Sequence, residues 1–420
     1  MRLHRNLVLA VIESLSQIFN QKKQADKIVA ITLKQDKRWG ARDRSFVAET
    51  IYEVVRWKRL YAKLADIETA FENNTYSTQN LVQLFSIWAI LNEIELPTWK
   101  EFEEINYDKK IIKEEYNKLS KIRKYKESIP DWLDNLGEKE LGNEIWTKEI
   151  AALNNQAPVV LRVNTLKTSI QKLQKQLSEQ NIETEKITQK TEIYPEAIRL
   201  LKRKSIVRNA LYKEGFFEIQ DASSQRIAHF LDIKQGMQII DTCAGAGGKS
   251  LHIASLLKNK GQIIAMDIYE NKLIELRKRA NRADVHNIKT HPIKRENNKV
   301  DNSQFKQFYN SADRVLIDAP CSGLGVLSRN PDAKWKLNLE FLEEIKQTQQ
   351  VILQEYSKMT KKGGKLVYAT CSILPSENQN QVETFLNSEN GKDFKFIEDK
   401  KILSHQTGFD GFYMAILERI

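Results

Sequence analysis

Residues 239–257 read IIDTCAGAGGKSLHIASLL. Two β-branched apolar residues lead into Asp241, three glycines (Gly245, Gly247, Gly248) crowd a short turn, and an apolar-periodic run follows. This is the pattern of a strand, a glycine-rich turn and a helix start. Such a turn lets backbone N–H groups and the helix N-terminus come close to a ligand. Three ligand classes use this geometry, and spacing separates them. A Walker A loop needs glycine five residues before Gly248, where this chain has Cys243. A dinucleotide fingerprint starting at Gly245 wants Gly or Ala at Ser250. The adenosyl cofactor of a methyltransferase, with no pyrophosphate to cradle, remains. Asp267 ends the next predicted strand, 22 residues after Gly245, close to the ~20 at which an acid meets ribose hydroxyls. The competing reading is a strand–turn–helix with a purely structural role.

Outward from this loop, predicted strands at Gln238–Ile240, Gln262–Met266, Arg314–Ile317 and Lys365–Tyr368 alternate with helices at Asn271–Arg282 and Leu339–Met359. That alternation predicts an open parallel sheet with helices on both faces over residues 216–420. Residues 130–211 carry shorter signals: strands at Val159–Val163, Ile182–Ile187 and Ala197–Leu201, and a helix at Ser169–Ser178, forming a small α+β module. A basic cluster, Lys202, Arg203, Lys204 and Arg208, follows them. Residues 1–126 are helical in pattern. Phe46, Val47, Ile51, Val54, Val55 and Leu60 recur at helical spacing, Asp43 is the expected N-cap, and Arg42, Arg44, Arg56, Lys58 and Arg59 read as a solvated charged face. The Lys- and Glu-rich stretch from Tyr107 to Lys126 reads as a bridge to the next domain. The expected architecture is therefore multidomain: an all-α domain, an α+β module and an α/β Rossmann-like domain.

Bulk composition narrows the function classes. Of 420 residues 41% are hydrophobic and 29% charged, so packed cores are expected rather than disorder. The formal net charge of +11 favours a polyanionic partner. The best apolar run, Leu81–Leu91, is about half the ~20 residues a membrane span needs, and Glu13, Ser14, Ser16 and Gln17 break the N-terminal apolar stretch, so no membrane association is expected. Three cysteines do not make a disulfide scaffold, and a cytoplasmic location with reduced thiols is expected. No Cys-x-x-Cys pair exists and the histidines are scattered, so no metal site is expected.

Those three cysteines all follow predicted strands. DRVLIDAPCSGLG (Asp313–Gly325) runs through Asp318 to Cys321, and GGKLVYATCSILPSEN (Gly363–Asn378) runs through a strand to Cys371. Ligands of open α/β sheets bind outside the carboxyl ends of the strands, so both thiols are expected to face the same crevice as the glycine loop and Asp267. A lone cysteine is a common core residue. Two beside a cofactor loop suggest chemistry. Carbon 5 of a pyrimidine is too weak a nucleophile to take a methyl group unaided. A thiolate adding at carbon 6 makes the ring an enamine, one hard step divided into easier ones. A carboxylate such as Asp318 can hydrogen-bond at N3 and help carry the developing charge. One thiol suffices for attack and a second can assist release; the chemistry by itself does not say which is which.

These residues together resemble the bacterial RsmB-type members of the Sun family of RNA 5-methylcytosine methyltransferases. The resemblance runs through LRVNTLK (Leu161–Lys167), QDASSQ (Gln220–Gln225), DTCAGAGGKS, AMD (Ala265–Asp267), DAPCSGLG, RNPDAKW (Arg329–Trp335), YATCS and GFDGFYMAIL (Gly408–Leu417). It implies that Cys371 attacks and Cys321 helps resolve the covalent RNA adduct. It implies that Cys243, Ala244, Gly245, Ala246, Gly247, Gly248, Lys249 and Asp267 hold S-adenosylmethionine, and that Asp318 lies between cofactor and cytosine. Lys249 would point into the same pocket and join the catalytic group. RWGARDRSFVAETIYEVVRWKR (Arg38–Arg59) resembles the helical NusB-like domain of RsmB proteins, and residues 130–211 would match the family's small RNA-binding region. Two positions depart from the pattern: Ala246 stands where proline is usual, and the acid expected to touch adenine is missing from HPIKRENNK (His291–Lys299), unless Glu296 takes its place. The implied substrate is RNA, small-subunit ribosomal RNA first. The alternatives are a tRNA cytosine C5-methyltransferase and a non-catalytic RNA-binding ribosome-assembly factor.

Overall fold

The computed structural model describes residues 3–188, 194–296 and 299–420, the side chains of Glu296 and Lys299 excepted. Contacts divide the chain into two compact units. One comprises residues up to Asn155 together with Leu327–Leu339; the other comprises Gln156–Val326 and Glu340–Ile420.

The first unit is helical. Arg5–Phe19, Ala25–Gln35, Ala41–Arg56 and Thr78–Leu91 are its longer helices, and Val11, Leu15, Ile51, Val55, Leu84 and Phe85 lie in its core. The N-cap of the third is Gly40, not Asp43: Asp43 sits one turn in, and its carboxylate accepts the Gly40 N–H at 2.9 Å. The basic residues after it are not a solvated face. The helix ends at Arg56, and a new helix, Lys58–Leu64, turns Lys58 and Arg59 inward. Lys58 Nζ lies 4.7–5.6 Å from the ring centroids of Phe19, Tyr76, Phe71 and Trp335 and donates to Asn74 Oδ1 at 2.7 Å. Burial pushes its ammonium down to about 7. Arg59 donates to the Ile129 carbonyl and to Asp131. Arg42 alone of the five stays exposed. The stretch read as a bridge folds into helices Lys109–Leu119 and Arg123–Lys126, and Ile112 and Leu119 join this same core. By contacts this unit also includes helices Asp131–Leu141 and Asn143–Leu153. RNPDAKW also belongs here, since Trp335 Nε1 donates to the Val55 carbonyl and Lys334 reaches the Glu127 carbonyl and Asn154.

The second unit holds two main sheets. Strands β1 (Val160–Val163), β2 (Thr184–Lys186), β3 (Ala197–Leu200) and β4 (Phe217–Ile219) form an antiparallel sheet in the order β2-β3-β1-β4, with helix Ile170–Ser178 capped by Ser169. β4 lies beyond Phe216, where the α/β domain was expected to begin. Its register on β1, Leu161 opposite Ile219, assigns it to the small module. The large sheet contains β5 (Gln238–Asp241), β6 (Gln262–Asp267) and β7 (Ile288–Pro292). After a short antiparallel strand pair, β8 (Arg295–Glu296) with β9 (Lys299–Val300), come β10 (Ala312–Asp318), β11 (Thr360–Thr370), β12 (Phe394–Ile402) and β13 (Phe412–Arg419). Its order is β12-β13-β11-β10-β5-β6-β7. Six strands run in one direction, whereas β13 runs antiparallel to its neighbours β11 and β12. The sheet is therefore mixed rather than all parallel, because the chain returns from edge strand β12 into β13 as a hairpin-like pair.

Alternate residues feed two apolar layers. Ile239, Leu316 and Val367 pack with Leu251 and Leu273 on one face; Ile240, Val315, Ile317, Leu366 and Tyr368 pack with Leu353, Tyr356 and Phe385 on the other. Strand order reverses between β5 and β10, so the crevice at their carboxyl ends is the topological switch point where such sheets bind ligands.

Candidate active site

Four strand ends converge at that crevice. β5 ends at Asp241 and passes through the glycine loop into helix Gly248–Leu256. Gly247 has φ +85° and its missing Cβ would stand 2.5 Å from Leu276 Cγ, so only glycine lets the loop close on helix Glu270–Arg282. Above Gly245 and Gly248 the Cβ positions are open space, which leaves backbone accessible to a ligand. Asp267, at the end of β6, accepts the Gly245 N–H and the Tyr269 N–H, each at 2.8 Å. Both carboxylate oxygens are thereby aimed while keeping a lone pair for a further hydroxyl. Ala246, in the usual proline position, offers its carbonyl to Arg279 at 2.7 Å. Cys243 and Ala244 pack into apolar layers on opposite faces of the sheet, and burial pushes the Cys243 thiol up.

Asp241 accepts Ser250 Oγ at 2.6 Å with one oxygen, and its Oδ1 is buried without a hydrogen-bond partner. Burial pushes this carboxyl up to about 7. Its folded-state pKa lies above the unfolded value, so the folded state favours the protonated form. Stability is then highest below about pH 4 for this group and falls as pH rises through about 7, a cost of roughly 4 kcal/mol when fully ionised. Asp241→Asn is therefore expected to leave melting unchanged near pH 4 and to raise it clearly at pH 8. Thermal unfolding at both pH values tests this; equal offsets at both would contradict it.

Lys249, on the first turn of the helix, donates to Asp318 Oδ2 at 2.5 Å. Burial opposes its charge, but the Asp318 carboxylate prevails and holds its ammonium above the ordinary lysine value. Cys371 lies within electrostatic range of the same ammonium. The two thiols expected to share the crevice do so, with Cys321 Sγ 3.3 Å from Cys371 Sγ. The hydrogen shared with Cys371, then burial, push the Cys321 thiol well up, so Cys321 holds its proton. Gly325 closes the site from below. Its missing Cβ would stand 2.2 Å from the Gly411 carbonyl and 2.8 Å from the Cys371 carbonyl, which ties GLG and GFDG to the Cys371 backbone.

Sequence reasoning missed two supports. The fully buried Glu377 accepts the Ser322 N–H at 2.7 Å and the hydroxyls of Ser322 and Ser372, each at 2.5 Å; Gln349 Nε2 adds a fourth donor at 3.2 Å. Ser322 and Ser372 directly follow the two cysteines, so one carboxylate clamps both thiol loops. It was visible in the SEN run after Cys371, but nothing local revealed its partners. Glu377→Gln puts an amide N–H against donors. It is expected to lower kcat roughly 10²-fold, the scale of an ångström's misplacement, while S-adenosylmethionine affinity stays within about twofold. Unchanged single-turnover rates would contradict the clamp. The second support is Arg162 of β1, which donates to Gln220 and to the Gly248 carbonyl and so latches the small module to the cofactor loop. Both Arg162 and Gln220 stand in segments that carried the family resemblance. The side chain of Glu296, offered above as a substitute adenine contact, lies outside the described residues.

A glycine loop at the switch point of a mixed seven-stranded sheet, an acid on the next strand and an accessible backbone define a Rossmann-like methyltransferase. A family model described as 16S rRNA methyltransferase RsmB/F matches residues 228–418, and the ferredoxin-like domain of RsmF/B-like methyltransferases matches residues 129–207. The chain belongs to the RsmB/F family of methyltransferases. The probable ribosomal RNA small subunit methyltransferase B of Synechocystis sp. is 33% identical over 308 residues, covering 70% of this chain and 67% of that protein. Ribosomal RNA small subunit methyltransferase B of Proteus mirabilis is 34% identical over 277 residues, covering 66% and 62%. The chain thus spans about two thirds of the length of these relatives. In fold it is similar to the solved protein PH0851 (TM-score 0.81, 21% identity, all of both chains). It is also similar to NSun6 from Pyrococcus horikoshii solved with SFG (TM-score 0.62, 22% identity, 70% of this chain and 99% of that one). The cofactor of this class is S-adenosylmethionine. The open glycine backbone, the orphaned Asp241 Oδ1 and the aimed Asp267 carboxylate fit it. Among the described residues no helix is long and apolar enough to cross a membrane.

Proposed function

We propose that this protein methylates carbon 5 of a cytosine in small-subunit ribosomal RNA through a covalent adduct between Cys371 and carbon 6. The observation that carries the reading is the pair of thiols 3.3 Å apart, at the ends of adjacent strands, beside the Lys249–Asp318 ion pair. Cys371 adds its sulfur to carbon 6 as its thiol proton passes by way of Asp318 to N3, which makes carbon 5 nucleophilic. Bound S-adenosylmethionine supplies the electrophilic sulfonium methyl that carbon 5 takes up. Residues Cys243–Lys249 and Asp267 hold that cofactor. Asp318, oriented by Lys249, meets the pyrimidine at N3. The carbon-5 proton passes to solvent, the Cys371 sulfur departs and regains the proton from N3, and the aromatic ring is restored; the protonated Cys321 beside the leaving sulfur hydrogen-bonds to it and assists this release. The names of the relatives favour ribosomal RNA over tRNA as substrate.

The helical unit is read as a NusB-like RNA-binding domain. Lys34, Lys37 and Arg42 are exposed on it, and the chain carries a net charge of +11. RNA affinity is therefore expected to fall steeply with salt, on the order of 10³-fold or more between 50 and 200 mM if six or more phosphates are engaged. A flat response in filter binding would oppose that reading.

Nucleoside mass spectrometry of unmodified small-subunit rRNA, incubated with protein and S-adenosylmethionine, tests the whole proposal. Appearance of 5-methylcytidine is the expected result. 5-Methylcytidine formed only in tRNA would move the substrate to tRNA. RNA binding with no methylation of rRNA, tRNA or ribosomal particles would favour a non-catalytic assembly factor.

A further inference from the structure

Three side chains far apart in sequence meet beside the cofactor helix. Glu196 immediately precedes β3, His229 lies at the end of helix Ala222–Phe230, and His252 sits one turn beyond Lys249 on helix Gly248–Leu256. Glu196 Oε2 is 2.7 Å from His229 Nε2 and 3.4 Å from His252 Nε2, and one ligand atom from each lies within 4.8 Å of the others. The imidazoles meet edge to face, with centroids 5.1 Å apart. Four-coordinate zinc, with bonds of about 2.0–2.1 Å to nitrogen and oxygen, sets its ligand atoms roughly 3.2–3.4 Å apart. Small adjustments bring this trio into that range.

His252 supplies the independent observation. Its side chain is 1% exposed, Nδ1 makes no hydrogen bond, and Nε2 faces Glu196 Oε2 at 3.4 Å, an oxygen already 2.7 Å from His229 Nε2. A buried polar group left without a partner is costly and rare in folded proteins. An ion shared with Glu196 and His229 would replace that long contact with a direct bond at Nε2. His229 is 34% exposed, so the site opens to solvent on that side, giving an ion an entry path and room for a fourth, water ligand. Two imidazoles and one carboxylate suit zinc and similar borderline-soft divalent ions rather than magnesium or calcium. The Arg162 guanidinium also bears on His252 and opposes a cation, so affinity below that of a closed structural zinc site is expected.

We propose that Glu196, His229 and His252 form a zinc-class divalent-metal site fastening the cofactor helix to the small module. Bound metal joins the segment before β3 to the two helices and holds the helix that carries Lys249.

The test uses the full chain, stripped of metal with chelator, and zinc alone as probe. Because Cys321 and Cys371 can also bind zinc, the measurement is made in parallel on the Cys321→Ser/Cys371→Ser protein. One ion is expected to bind in that background with micromolar or tighter affinity and to raise the melting temperature. His229→Ala, at a partly exposed position that does not threaten folding, is expected to weaken binding at least tenfold and to abolish the rise. Cobalt in the same background should give ligand-field bands without a thiolate charge-transfer band. Zinc lost with the two thiols, or retained undiminished in His229→Ala, would overturn the proposal.

Discussion

Cys371→Ala is expected to abolish methyl transfer while leaving S-adenosylmethionine binding intact. Cys371 follows the last residue of β11, and its Sγ lies beside Cys321 and within electrostatic range of Lys249. The glycine loop and Asp267, which would hold the cofactor, stand on β5 and β6 and share no hydrogen bond with this thiol. Removing the sulfur therefore removes the group that activates carbon 5 and nothing that binds the cofactor. Loss of a covalent nucleophile acts on the scale of 10⁴-fold or more. Cys371 is only partly buried, so alanine leaves a small void at the crevice rather than in the core. Methyl transfer from labelled cofactor and calorimetric cofactor binding are the paired measurements. Turnover within tenfold of wild type would remove Cys371 from the mechanism, and lost cofactor binding would point to a structural role.

Cys321→Ala is expected to trap the protein on its RNA. Its Sγ is 3.3 Å from the attacking sulfur, and the hydrogen shared with Cys371 and burial keep its own thiol protonated. A protonated group there is poorly suited to attack and well placed to assist departure of the Cys371 sulfur. Without it, addition and methylation proceed while release slows, on the 10²–10⁴ scale typical of a lost acid–base group. A slow-migrating protein–RNA species should then appear on a denaturing gel and vanish in the double variant with Cys371→Ala. Full turnover with no adduct would leave the second thiol without this role. If instead Cys371→Ala trapped RNA and Cys321→Ala abolished transfer, the two assignments would be exchanged.

Much of this is legible in the sequence, and the division follows the range of the interactions. The strand–glycine–helix run at 239–257, the strands leading to Asp267, Asp318 and Cys371, and the convergence of both thiols on one crevice all follow from local apolar period and glycine spacing. In a parallel sheet those settle where strand ends lie. The small module's strands were legible for the same reason, apart from β4, which is too short to declare itself outside its pairing with β1.

Tertiary structure alone decided the rest. Arg56, Lys58 and Arg59 look like a solvated stripe until the break after Arg56 turns them into the core. β13 enters antiparallel because its partners are chosen by packing, not by its own pattern. Glu377 gains its four donors, and His252 its two neighbours, from residues that chain distance hides. The sequence by itself determined which residues stand at the strand ends, since periodicity and backbone freedom are local properties. How those groups are held and which charges leave water depend on contacts between separate segments of the chain, which only the folded chain specifies.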